Sequence, residues 1–107
     1  MTRGSIYWVN LGSATPPEFG KTRPGVLVSN TLQNEMLDSV VMIPLSTTPG
    51  EIWPLRVTAD EIRGKPSCAV VPGIRQVSKA RLTELVGPAS PDFMKRLERA
   101  LELYLND

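Results

Sequence analysis

The chain has 107 residues, a formal charge of +1 and 41% apolar residues, which sets one domain (1–107) with a real core and argues against a protein that coats nucleic acid by bulk electrostatics. It contains no histidine and a single cysteine. That removes the usual general base, most zinc sites, any Ser-His or Cys-His nucleophile pair and any intrachain disulfide.

The carboxylates are scattered without metal-ligand spacing, so neither a metal nor a cofactor is expected. Cys68 lies in the apolar run Cys68-Ala69-Val70-Val71, where a small buried hydrophobe is the expected role. A lone reduced cysteine, no visible signal peptide and no apolar stretch of membrane-spanning length point to the cytoplasm and away from a membrane. Charge is unevenly placed: residues 1–83 carry nine Lys/Arg against six Asp/Glu, residues 84–107 three against five. An anionic ligand is expected on the first part.

Taken in order, Ile6-Tyr7-Trp8-Val9-Asn10-Leu11 is rich in β-branched and aromatic residues and reads as a strand with two apolar faces. Trp8 is expected in the core. Residues 12–23 form a long polar loop, longer than a plain hairpin needs, with Phe19 near its tip as a staple, a stacking platform or a lid. Arg23-Pro24 then stands where the loop meets the apolar run Val26-Leu27-Val28. Pro24 fixes its own φ and pushes Arg23 toward an extended conformation. A guanidinium held at the mouth of an anchored strand suits planar, two-point binding of phosphate.

A second polar connection, 30–35, has room for a helical turn. Ser39–Leu45 is the next strand, with Pro44 hinting at an edge or a bulge, and it ends in the hydroxyl cluster Ser46-Thr47-Thr48 before the turn signal Pro49-Gly50. Residues 53–58 alternate as a strand and 59–66 read as a turn or short helix. Residues 67–77 are another strand, broken at Pro72-Gly73, and 79–87 leave room for one short last strand. Ser90-Pro91-Asp92 is a helix start: a capping hydroxyl, proline at the first helical position and an acid in the first turn. Phe93, Leu97, Leu101 and Tyr104 recur at helical spacing with Met94, Ala100 and Leu105, predicting a helix over about 91–105 packed by one face. The sum is mainly β: a small, mostly antiparallel barrel or curled sheet with a C-terminal α-helix.

The order of motifs is similar to that of the MazF/PemK toxin family. The residues that carry the resemblance are Arg3-Gly4 before Ile6-Tyr7-Trp8-Val9, the loop end Thr22-Arg23-Pro24, Val28-Ser29-Asn30, Ile43-Pro44-Leu45-Ser46-Thr47, and Ile74 through Leu82. The resemblance implies an SH3-like barrel of the MazF/PemK/CcdB type, a homodimer, and a toxin that cleaves single-stranded RNA (mRNA) without metal and is inhibited by a cognate antitoxin. It implies catalytic roles for Arg23 and Ser46, with Thr47 the neighbouring hydroxyl that could substitute, and a loop segment Glu18-Phe19-Gly20 before the arginine. The chain departs from the family pattern at Ser5, at Pro72-Gly73 and at Gln76. Alternative readings on the same fold are a non-enzymatic inhibitor of a protein target and a homologue that binds RNA or antitoxin without cutting.

The chemistry agrees with the residues. Without histidine, cleavage by the RNA's own 2′-OH must rest on positioning and charge stabilisation, the natural role of Arg23. Phe19 and Trp53 are candidates for base stacking; Lys21, Arg75 and Gln76 are candidates for the groove. Trp53 reads equally as a half-buried strand-edge aromatic, and Arg75 as a support for the loop containing Arg23.

Overall fold

A computed structural model of the chain describes residues 1–13, 16 and 20–107. In chain order its elements are β1 (Ser5–Asn10), β2 (Thr22–Leu27), α1 (Thr31–Met36), β3 (Ser39–Ser46), β4 (Arg56–Ile62), β5 (Lys65–Val70), β6 (Arg75–Ser78), β7 (Leu82–Pro88) and α2 (Pro91–Leu105), with 3-10 turns at Val71–Gly73 and Lys79–Arg81. The strands form a curled antiparallel half-barrel in the order β4-β5-β3-β2-β1-β7.

β3 is the strand around which the sheet curls. On one side it pairs with β2 through Leu27–Met42, Val26–Ile43 and Gly25–Pro44. On the other it serves two partners: β6 along Ser39 to Met42, then β5 at Leu45 and Ser46. Pro44 is therefore buried within the sheet, contrary to the edge its residue type suggested. It sits where β6 has ended and β5 begins, so its missing N–H breaks no ladder on that side. At the far end of the curl, Arg63 reaches back to Glu84 of β7 at 3.3 Å and lies 4.7 Å from the Trp8 ring of β1.

Alternation along the strands divides the apolar side chains into two cores. One face carries Ile6, Val26, Ile43, Leu45, Val57, Ala69 and Val71 and is covered by Phe93, Leu97 and Ala100 of α2; Trp8 packs against it, as expected. Burying Phe93 and Leu97 contributes about 1.5–3 kcal/mol each. The helix is fixed at its start by Ser90, whose Oγ accepts from Phe93 N at 3.3 Å. Asp60 of β4 receives the Ser90 N–H at 2.6 Å and its hydroxyl at 2.7 Å. The opposite face carries a smaller core of Val9, Leu11, Leu27, Val40, Met42 and Val77.

Three expectations are corrected. Residues 59–62 are strand: the two-residue turn Arg63-Gly64, with φ of 53° and 76°, joins β4 directly to β5, the geometry that hairpins favour. Trp53 to Leu55 form a turn, and β4 begins only at Arg56. Tyr104 and Leu105 are 39% and 67% exposed, because the last turn of α2 runs past the covered face. No helix among the described residues is long and apolar enough to cross a membrane.

Candidate functional site

The start of β2 presents the first charged group. The neck of the 12–21 loop is closed by two backbone bonds, Lys21 N to Gly12 O at 2.6 Å and Leu11 N to Lys21 O at 2.8 Å. Closing it puts Lys21 at φ +63°, a left-handed conformation that costs an L-residue about 1–2 kcal/mol. Two residues later Arg23, half-buried, pairs with Val9 in the β1–β2 ladder. Gly12, Ser13, Gly20, Lys21 and Arg23 line an open concavity of about 360 Å³. Two cations thus share one small recess, a place for an anion.

The end of β3 presents the hydroxyls. Continuing the β2–β3 register by two residues sets Arg23 level with Ser46, and residues that face each other in a ladder point to the same side of the sheet. Ser46 is buried and its Oγ accepts the Thr48 N–H at 3.1 Å, so its own hydrogen is the part available to a ligand. Thr47 is exposed. The loop that follows is held by Arg56, whose Nη2 donates to Thr48 O at 2.7 Å and whose Nε donates to Gly50 O at 3.2 Å. Glu51 accepts from Thr58 N at 3.0 Å and from Arg96 Nη2 at 2.7 Å. The Thr58 N–H first, and the Arg96 guanidinium second, hold the Glu51 carboxyl below the usual carboxylate range.

The remaining sequence candidates fall in different places. Arg75 pairs with Met42, which puts it on the face of Arg23 and Ser46 but roughly 13 Å along β3 from Ser46 at the usual strand rise. Gln76 pairs with Val41 and so lies on the other face, where its amide donates to Ser39 Oγ at 2.8 Å and ties β6 to β3. Trp53 is 42% exposed, with its ring 5.4 Å from the Arg96 guanidinium of α2, on the flank of the helix. Gly20 and Lys21 line the recess; Glu18 and Phe19 lie outside the described residues.

Two residues at the site carried no signal in the sequence. Arg81 donates to Asn10 O at 3.1 Å, and its Nη1 is 3.5 Å from where a Cβ on Gly12 would stand, which adds a third cation at the rim of the recess. Arg56 is the other. Both depend on contacts across 8 to 71 positions of chain, beyond what any local pattern encodes.

Residues 2–105 match the family described as PemK-like, MazF-like toxin of type II toxin–antitoxin system. Among curated relatives, Endoribonuclease MazF9 of Mycobacterium tuberculosis is 28% identical over 114 residues, covering 99% of this chain and 97% of that one. Endoribonuclease EndoA of Bacillus subtilis is 23% identical over 107 residues, covering 96% and 92%. Among solved structures, an endoribonuclease in complex with its cognate antitoxin from mycobacterial species is 26% identical, with a TM-score of 0.81 over 100% of this chain and 98% of that one. MazF of Deinococcus radiodurans, 20% identical with a TM-score of 0.83 over 98% and 96%, shares the fold. With nearly its whole length matched, the chain belongs to the PemK-like, MazF-like toxins of type II toxin–antitoxin systems.

Proposed function

We propose that this toxin is an endoribonuclease that cuts single-stranded mRNA by attack of the RNA's own 2′-oxygen, with Arg23 and Ser46 as its catalytic residues. The 2′-oxygen bonds to phosphorus and the bond to the 5′-oxygen breaks, leaving a cyclic phosphate and a free 5′-hydroxyl. The 2′-proton goes to solvent. Arg23 neutralises the charge that builds on the non-bridging oxygens, the contribution that is usually largest in such reactions. A leaving alkoxide is a stronger base than neutral guanidine, so the same group can also give a proton to the 5′-oxygen and regain one from solvent. Ser46 orients the phosphate or the 2′-hydroxyl through its free hydrogen. Thr47 lacks that fixed geometry and is the secondary candidate. A guanidinium supplies the positive charge, so the reaction needs no divalent ion.

The observation that carries this reading is the β2–β3 register, which sets Arg23 level with Ser46 on one face of the sheet beside a cationic recess. Lys21, Gly20 and Arg75 extend the same face toward an RNA strand, with Glu18 and Phe19 as further contacts; Gln76, on the opposite face, and Trp53, on the flank of α2, are not assigned to that groove. Two relatives named endoribonucleases support the activity. The mycobacterial complex supports a cognate antitoxin, which would lay an acidic, disordered segment over the Arg23 recess and compete for its charge. The toxin is taken to act as a homodimer in the cytoplasm.

The test is incubation of the purified protein with a long unstructured RNA in EDTA, beside Arg23→Ala, with cut ends mapped. Discrete cuts that vanish in the variant, and at a site where a 2′-deoxy nucleotide blocks cleavage, are the expected result. Cutting that disappears in EDTA, or that survives the 2′-deoxy substitution, would overturn the mechanism. Tight RNA binding without any cut would favour a binding-only homologue.

A further inference from the structure

We infer that Arg56 is a positioning residue that fixes the direction of the Ser46 hydroxyl. Its chemical half rests on the ribonuclease reading above; its structural half stands on the geometry alone. Nine residues, 47–55, connect β3 to β4 outside any strand. A connection of that length carries many conformations unless something holds it. Its far end is closed by backbone: Leu55 N and Arg56 N both donate to Ile52 O at 2.7 Å, and Ile52 N donates to Arg56 O at 3.0 Å.

Its near end, Thr47 and Thr48 directly after Ser46, has no such backbone closure among the described residues. There the Arg56 guanidinium takes over, donating to Thr48 O at 2.7 Å and Gly50 O at 3.2 Å. Thr48 is therefore gripped twice: its carbonyl by Arg56, and its N–H by Ser46 Oγ at 3.1 Å. That second bond selects one of the three staggered χ1 wells of Ser46 and aims the hydroxyl hydrogen away from Thr48. Release of the Thr48 carbonyl frees its N–H, and the Ser46 hydroxyl then samples several directions. Arg56 is the residue suited to this, because its separate nitrogens donate in fixed directions to two carbonyls, where lysine's donors all sit on one flexible nitrogen. The guanidinium nitrogens that face the loop are engaged by it. With Nε and Nη2 both engaged by the loop, Arg56 acts on the site through Thr48.

The experiment compares the wild type with Arg56→Met, Arg56→Lys, Ser46→Ala and the Ser46→Ala/Arg56→Met double variant. It measures kcat and KM on a short RNA containing the mapped cut site, thermal midpoint, and hydrogen exchange of the Thr48 amide by NMR. Arg56→Met is expected to lower kcat roughly 10- to 100-fold, the scale of a small misplacement of a reacting group, with KM within about twofold. Arg56→Lys restores part of kcat, and the double variant is no slower than Ser46→Ala, because two residues acting through one hydroxyl are not additive. Thr48 exchange should accelerate in Arg56→Met as it does in Ser46→Ala. A raised KM at unchanged kcat would make Arg56 an RNA contact and overturn the inference, as would wild-type kcat or undisturbed Thr48 exchange in Arg56→Met. If the wild type cuts no RNA, the ribonuclease reading fails by itself. Thr48 exchange then still decides whether Arg56 holds Ser46.

Discussion

Gly25 is the position in β2 where the fold leaves least room. A Cβ built there would stand 2.1 Å from Met42 Cε and 3.5 Å from both Ile43 O and Val9 Cγ2. The methionine methyl lies directly on the glycine, in a row two residues from Arg23 and on the same face. Gly25→Ala forces Met42 into another rotamer, yet Met42 is fully buried among Val9, Leu27, Val40 and Val77. Overpacking of such a core costs about 1–3 kcal/mol. The stiffer unfolded chain of the alanine variant returns about 0.4–1 kcal/mol, so a net loss between about 0 and 2.6 kcal/mol is expected.

Urea unfolding of a thermodynamic cycle tests the cause. Met42→Ala alone should cost about 2–5 kcal/mol through the cavity it leaves. In the double variant the new Cβ occupies part of that cavity and meets no methyl. The combined loss should then fall short of the sum by about 0.5–3 kcal/mol, the range for residues in contact. A stabilising Gly25→Ala, or strict additivity in the double variant, refutes the close-approach argument.

Two further outcomes follow from named contacts. Lys21→Gly removes the strain of a left-handed lysine, about 1–2 kcal/mol, against about 0.4–1 kcal/mol for a looser unfolded chain. Stability should hold or rise slightly in urea titration while affinity for single-stranded RNA falls and its dependence on salt weakens; a clear loss of stability would show that the lysine side chain, not the backbone, holds the loop neck. For Glu51 the folded carboxyl titrates below the usual carboxylate range, so its contribution is fully present above the unfolded pKa and is lost as pH falls through the folded one. The difference in thermal midpoint between wild type and Glu51→Gln should therefore be present at pH 7 and shrink below about pH 4, and a difference constant from pH 7 to 3 contradicts it.

Local chemistry made much of this fold legible. The capped start at Ser90-Pro91-Asp92, the apolar cores of β1 and β3 and the break at Pro72-Gly73 are written within a few residues of chain, and each appears where the sequence placed it. The misreadings share a cause: tertiary partners overrode a local preference. Pro44 reads as an edge signal because a central strand normally needs every N–H, and only the change of partner from β6 to β5 removes that need. Asp60-Glu61 look like a solvated turn, yet Asp60 is strand because its carboxylate holds the start of α2. At the candidate site, Arg23 stands out by its proline neighbour, whereas Ser46 is singled out among the hydroxyls only by the family resemblance. Arg56 and Arg81 could be found by neither, since they act on carbonyls that only the folded sheet brings near.

The two cores divide the work of the molecule. α2 covers one face, and that face holds the larger core and most of the fully buried bulk. A sheet covered there can leave its other face only partly filled, and Arg23, Ser46 and Arg75 stand on that second face around the smaller core of Val9, Leu27 and Met42. Arg23 and Arg75 are half-buried at the rim of that smaller core. They are still held in place by strands whose opposite sides are anchored under the helix. Substitutions of buried residues in either core should therefore act on stability, and those of Arg23, Ser46 and Arg75 at the rim of the smaller core on RNA cleavage. Gly25 and Met42 lie where the two meet, because the row that fills the smaller core is adjacent to the row that carries Arg23.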